Sequence, residues 1–138
     1  MKQRDILMDQ IEQAGRALGK IFADFMGLKS GGNITNEIAI TNQRLQSQLD
    51  INIEHLLSLK RRDATEYLQD RVGTDEHVET LSDYLKDIGL FKKKTNDSEF
   101  QLYLSKALEL LEIADDNSRT MSFDRNRKKT EIRDLLTN

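Results

Sequence analysis

The sequence predicts an all-α protein of six to seven antiparallel helices, arranged as a stack of helical hairpins or as a bundle. The 138 residues contain no proline, so long segments can be helical without interruption. Leucine outnumbers valine by 19 to 2, a balance that favours helices over a sheet of β-branched residues. A chain of this length fits one domain, and we expect a single domain over residues 1–138.

The N-terminal segment, residues 1–28, is predicted to form one amphipathic helix. Its apolar residues follow a repeating spacing of four and three residues, which places them in one stripe. The stripe consists of Leu7, Ile11, Ala14, Leu18, Ile21, Phe25 and Leu28. Met8, Phe22 and Met26 widen this stripe on one side. The Gly-rich residues 29–33 interrupt the pattern and are the best candidate for a linker.

The remaining residues, 34–138, form the predicted core of helical hairpins. Side chains that can accept a hydrogen bond from a helix N-terminus mark the predicted helix starts. These are Thr35, Asp50, Thr74, Asn96 and Ser122. The sixth helix has the widest apolar face and capping-box spacing between Asn96 and Glu99, and we expect it to be central. The gaps between helices are short, which predicts antiparallel neighbours.

Two parts of the chain resemble a known type of helical protein. Near the C-terminus, the sequence resembles a helical hairpin of the tetratricopeptide type. The residues that carry this resemblance are Lys106-Ala107-Leu108-Glu109-Leu110-Leu111-Glu112, Asp115-Asp116 and Ser122-Phe123-Asp124. The N-terminal segment resembles the first helix of a family of uncharacterised bacterial proteins that contain such hairpins. The residues that carry this resemblance are Asp5-Ile6-Leu7-Met8, Ile11-Glu12-Gln13 and Ala17-Leu18. The tryptophan and proline of the tetratricopeptide signature are missing. The resemblance implies a helix-stacking fold and a bacterial, cytoplasmic origin, and it transfers no active site.

Composition excludes several classes of function. The chain has no cysteine, so it has no disulfide framework, thiolate zinc site, iron–sulfur cluster or cysteine nucleophile. No apolar run approaches the roughly 18 residues that span a bilayer. Asp5, Asp9 and Glu12 lie where a secretion signal needs an apolar stretch, so we expect a cytoplasmic protein without membrane contact. The net charge of −3 disfavours nonspecific binding of nucleic acid.

The candidate catalytic and metal-binding residues do not form a recognisable pattern. His55 and His77 are the only histidines, and neither has a second ligand at metal-site spacing. The carboxylates are grouped as Asp75, Glu76 and Glu79 and as Asp115 and Asp116, and we interpret them as helix caps and solubilising charges. Gly31-Gly32 lacks the flanking residues of a phosphate-binding loop and is interpreted as a hinge. The sequence therefore predicts no enzyme, no metal and no cofactor.

Two basic clusters could contact phosphates. They are Lys60-Arg61-Arg62, and Arg125, Arg127, Lys128, Lys129 and Arg133 on the last helix. No aromatic residue is interleaved for base stacking, and nearby carboxylates dilute the positive field. We interpret the second cluster as an ordinary solvated helix face.

The function that remains is a non-catalytic module for protein–protein interaction or scaffolding. The candidate partner-binding residues are Leu7, Ile11, Leu18, Ile21 and Phe25, through which the first helix would bind a protein partner or a second copy. The same stripe could instead pack against the chain's own core. The alternative function is a nucleic-acid-associated regulatory protein that uses its basic C-terminal helix, although the acidic balance disfavours nucleic acid as a partner.

Overall fold

The chain is α-helical in the part that the structure, a computed structural model, describes: residues 8–29, 32–118, 120 and 122–137. These residues contain seven helices and no strand, which confirms the predicted all-α class. The helices are α1 (Met8–Lys29), α2 (Ile34–Leu49), α3 (Ile53–Ser58), α4 (Arg61–Arg71), α5 (Asp75–Lys94), α6 (Phe100–Asn117) and α7 (Phe123–Thr137). They divide into two compact units, one that ends at Gly73 and one that begins at Thr74. The single domain with a linker at residues 29–33 stays a prediction.

In the first unit, α1 packs against α2 along one side. The buried residues are Ala14, Leu18, Ile21 and Phe25 of α1, and Thr41 and Leu45 of α2. Their spacing of three and four residues places them in one stripe on each helix, so each helix buries one face. At the edge of this contact, Arg44 Nη1 lies 2.7 Å from Asp24 Oδ2 and joins the two helices through an ion pair.

The helix starts on either side of α2 differ from the prediction. Asn33, and not Thr35, caps α2 with its side chain. Asp50 ends α2 in the left-handed region, at φ 56°, and does not cap α3. Asn52 caps α3 instead, because its side chain accepts a hydrogen bond from the backbone N–H of His55 at 2.9 Å. The predicted caps Thr35 and Asp50 are therefore wrong.

In the second unit, α5 and α6 are antiparallel and closely packed. Ser82 Oγ donates a hydrogen bond to the backbone carbonyl of Ala107 at 2.7 Å, and both residues are buried. Nearer the connecting turn, a Cβ placed on Gly89 would lie 2.6 Å from Leu104 Cδ2. Glycine at this position therefore lets the two helices approach each other.

The start of α6 also differs from the prediction, because the capping box does not form. Asn96 adopts the left-handed region at φ 60°, and its backbone N–H donates to the carbonyl of Lys93 in the turn after α5. Asp97 Oδ1 accepts from the backbone N–H of Glu99 at 2.9 Å. Glu99 itself precedes the first helical residue and makes no side-chain cap.

The last helix, α7, begins at its predicted cap. Ser122 Oγ accepts a hydrogen bond from the backbone N–H of Arg125 at 3.1 Å, and Thr74 caps α5 in the same way. Ile132 is buried, whereas Phe123 at the start of the helix is 84% exposed. The apolar contact of α7 is therefore small.

Charged side chains occur on every helix, including the apolar α6, where Lys106 pairs with Glu109. Among the described residues, no helix is both long and apolar enough to cross a membrane.

Candidate functional site

The structure places the predicted partner-binding residues mainly in the interior. Leu18, Ile21 and Phe25 are buried, and Ile11 is half-buried. Leu7 lies outside the described residues. The binding of a partner by these five residues stays a prediction, and a partner could reach the three buried ones only if α1 left its position.

The side of α1 next to the buried stripe is exposed and partly apolar. We define the outward face of α1 as the four exposed residues Met8, Gly19, Ala23 and Met26. Met8 is 72% exposed and Met26 is 52% exposed. They lie on the same side of the helix, because they are 18 residues apart, which is five turns at about 3.6 residues per turn. A Cβ placed on Gly19 would meet nothing within 4 Å, so the face is open at its centre.

Charges beside the outward face follow a simple order along α1. Asp9 and Glu12 lie in the N-terminal part of the helix, and Arg16 and Lys20 follow them. Within the described part of the chain, Asp9, Glu12 and Arg16 make no ion pair. Lys20 Nζ lies 3.5 Å from Asp24 Oδ1, in a pair that is largely exposed to solvent and therefore weak.

A polar groove of about 860 Å³ lies on another side of α1, within the first unit. Amide side chains dominate its lining, which consists of Gln10, Gln13, Ala14, Ala17, Gln46, Ser47, Gln48, Leu49, Asp50, Asp70 and Arg71. Arg71 donates from Nη2 to Asp50 Oδ2 at 3.1 Å, and its guanidinium carbon lies 3.7 Å from the centre of the Tyr67 ring. These groups can bind polar ligands, but the lining pairs no nucleophile with a histidine base.

Three of the five cations in the basic cluster of α7, Arg125, Lys128 and Lys129, do not lie on the solvated helix face that the sequence predicts. Arg125 is only 5% exposed. Its Nε lies 3.1 Å from Glu79 Oε1, its Nη1 lies 3.0 Å from Asp115 Oδ1, and its Nη2 lies 3.5 Å from Asp75 Oδ2. One guanidinium thus joins α7 to carboxylates of both α5 and α6.

Two lysines of α7 continue this ion-pair cluster. Lys128 Nζ lies 2.7 Å from Glu79 Oε2 and 3.2 Å from Asp83 Oδ2, and Lys129 pairs with Asp115. Burial opposes ionisation of Asp115, but hydrogen bonds from Lys129 and Arg125 outweigh it and hold the pKa of that carboxyl below its usual value. The interpretation of these carboxylates as caps and solubilising charges is therefore wrong for Glu79 and Asp115.

The other members of the two basic clusters lie nearer the solvent. Arg127 pairs with Asp124 and Glu131 of its own helix. Arg133 is exposed, as are the three residues of the first cluster, Lys60-Arg61-Arg62. The cations that the alternative function would use are thus largely engaged by carboxylates of the same chain.

The two histidines do not form a metal site. His55 is exposed and its ring packs edge-on against Tyr67, with the ring centres 5.3 Å apart. His77 is half-buried in the first turn of α5, where its backbone N–H donates to Thr74 Oγ1. In the described part of the chain, no three histidine or carboxylate side chains are grouped to hold a metal ion.

Comparisons of this chain with protein-family models, with curated proteins and with solved structures found no match. The resemblance to tetratricopeptide-type hairpins stays a prediction.

Proposed function

We propose that this protein is a non-catalytic interaction module that holds a protein partner on the outward face of α1. The observation that carries the proposal is the exposure of Met8 and Met26 on one side of a helix whose other side is buried. Methionine side chains are flexible and polarisable, and they are common on surfaces that bind other proteins. Burial of both against a partner would stabilise the complex by removing their apolar area from water.

The charges of α1 support the same proposal. Asp9, Glu12 and Arg16 lie beside the apolar residues and make no ion pair among the described residues. An apolar centre with a charged rim is the usual composition of a protein interface, in which the rim charges select and orient the partner. A cytoplasmic location belongs to this proposal.

The alternative function, binding of nucleic acid by α7, ranks second. A phosphate group would have to displace the carboxylates that surround Arg125 and Lys128. Removal of a cation from a largely buried ion pair leaves an unpaired buried charge, which is costly. The ion pairs support a role of these residues in holding α7 against its own unit.

Site-specific photo-cross-linking tests the proposed function. A photoreactive amino acid replaces Met26 in one variant and Gln69, an exposed residue of α4, in the control variant. We expect irradiation of cells that produce the protein to give a discrete protein adduct from position 26 and none from position 69. Equal adducts from both positions, or none from position 26, would contradict the proposal.

Two lysine substitutions test whether the apolar side chains of the outward face contribute to partner binding. Met26→Lys removes an exposed apolar side chain from the outward face, and Ile40→Lys removes one of similar exposure, 43%, from α2. We expect Met26→Lys to abolish the adduct formed from a photoreactive group placed at Ala23, and Ile40→Lys to leave it unchanged. Both variants keep a good helix former at an exposed position, so both should fold.

A further inference from the structure

We propose that the partner on the outward face of α1 is a second copy of the same chain, with the two α1 helices antiparallel. This inference rests on the proposed function. Its basis is the order of charge over residues 9–20 of α1, which is acidic at Asp9 and Glu12 and basic at Arg16 and Lys20. Asp24, which follows them, is paired with Arg44 of α2. A helix with this order is complementary to its own reversed copy.

The spacing of the charges sets the register of the antiparallel pair. If Glu12 lies opposite Arg16 of the second copy, the twofold axis passes near position 14. The same axis places Asp9 close to Lys20 of the second copy. By symmetry each pair occurs twice, so one register forms four ion pairs between the copies. The weak contact of Lys20 with Asp24 does not hold it away from Asp9 of the second copy, since both side chains are exposed.

The shape of the outward face agrees with this register. The axis near position 14 places Met8 of one copy close to Gly19 of the other. Gly19 has open space where a Cβ would be, so the methionine side chain can pack against the backbone there. In this register residues 8–20 of the two copies of α1 lie opposite each other, so the contact between the described residues extends over about 18 Å and includes Met8 but not Met26.

Disulfide trapping tests the register directly, because the chain contains no cysteine of its own. The probes are two single variants, Met8→Cys and Gly19→Cys. In the proposed register, positions 8 and 19 lie opposite each other. Two copies of position 8 lie about 18 Å apart along the helix, and two copies of position 19 about 15 Å apart. A disulfide needs Cα atoms within about 7 Å. We therefore expect covalent dimers from the mixed variants and none from either variant alone.

Charge reversal tests the same register without cysteine. In the dimer, Glu12→Lys places a positive charge opposite each of the two Arg16 side chains. Arg16→Glu places a negative charge opposite each of the two Glu12 side chains. We expect each single variant to weaken self-association about tenfold. The double variant restores opposite charges and should return the dissociation constant to that of the unchanged chain. Sedimentation over a wide range of protein concentration measures all four proteins.

The outcomes separate this inference from the proposed function. A chain that remains monomeric at the highest concentration, or that cross-links only between identical positions, overturns the antiparallel dimer. If the chain remains monomeric but position 26 forms an adduct with a different protein, the proposed function is still supported. If position 26 gives no adduct and the mass stays that of a monomer at every concentration, both the proposed function and the antiparallel dimer are overturned. Mixed disulfides together with recovery in the double variant support the antiparallel dimer, and an adduct from position 26 supports the proposed function.

Discussion

Arg125 on α7 donates a hydrogen bond from Nη1 to Oδ1 of Asp115 on α6 over 3.0 Å, in a position where the guanidinium is almost entirely buried. The same side chain also bonds to Glu79 on α5. Because Ile132 is the only fully buried apolar residue that α7 contributes among the described residues, these ion pairs supply much of what holds α7 in the second unit.

Replacement of Arg125 by methionine is expected to destabilise the protein by about 3 kcal/mol. The substitution keeps much of the side-chain volume but leaves Glu79 and Asp115 without their shared cation. Urea unfolding followed by circular dichroism measures the free energy of unfolding. Arg127→Met is the matched control on the same helix. Its ion pairs are exposed, so its effect should stay below about 1 kcal/mol. Equal effects of the two substitutions would refute a structural role for the buried guanidinium.

The ion pairs of Asp115 predict a specific pH dependence of stability. Its pKa in the folded state is below the usual value of 3.8, so its contribution to stability is complete above about pH 5. That contribution is lost as the pH falls below 3.8 toward the folded-state pKa. Asp115→Asn, which resembles the protonated acid, should therefore be destabilised relative to the unchanged chain at pH 7 and by a smaller amount at about pH 2. Urea unfolding at a series of pH values gives the difference, and a difference independent of pH would contradict this prediction.

The close approach of α5 to α6 predicts opposite effects for two Gly→Ala substitutions. At Gly89 the new methyl group would overlap Leu104, at a cost of about 1–3 kcal/mol. The gain in helix propensity is at most about 1 kcal/mol, so Gly89→Ala should be destabilising. In the single chain a methyl group at Gly19 meets nothing, so Gly19→Ala should stabilise the monomer by up to about 1 kcal/mol. Thermal unfolding compares the two, and a stabilised Gly89→Ala variant would show that the helices can separate without cost.

The cap of α3 predicts that Asn52→Ala costs about 1 kcal/mol of stability. The substitution removes the side-chain oxygen that accepts from the backbone N–H of His55. Asn52→Asp keeps such an oxygen and should behave like the unchanged chain in urea unfolding. Comparable losses in both variants would mean that the amide group of Asn52 has a role other than the cap.

The sequence predicts the helices well because helical spacing and stop signals agree over most of the chain. The predicted caps Thr74 and Ser122, for example, do cap α5 and α7. The errors occur where two residues that can cap a helix lie close together. Asn33 competes with Thr35, and Asn52 competes with Asp50. Sequence spacing does not decide between them, since both members of each pair can accept a hydrogen bond from a helix N-terminus.

The outward face of α1 could not be predicted from spacing alone. The apolar stripe is wide, and Met8 and Met26 lie at its edge. The contact with α2, whose buried residues are Thr41 and Leu45, covers the centre of the stripe and leaves Met8 and Met26 exposed.

The ion-pair cluster of α7 did have a signal in the sequence, which only the fold makes interpretable. Asp75, Glu79 and Asp83 recur every four residues, so they form an acidic row on one side of α5. Arg125 and Lys128 form a matching basic row on α7, a helix that is poor in apolar residues. Without knowledge that α7 lies beside α5, each row is indistinguishable from a solvated surface.

The attachment of α7 by charge has an evolutionary consequence. In chains descended from a common ancestor, loss of the carboxylate at Glu79 should be tolerated mainly when Arg125 or Lys128 is replaced as well, because a lone buried ion is penalised more than an absent pair. Substitution of one aliphatic side chain for another at Ile132 carries no such condition. Related chains should therefore show correlated substitutions between the ion-pair residues of α5 and those of α7.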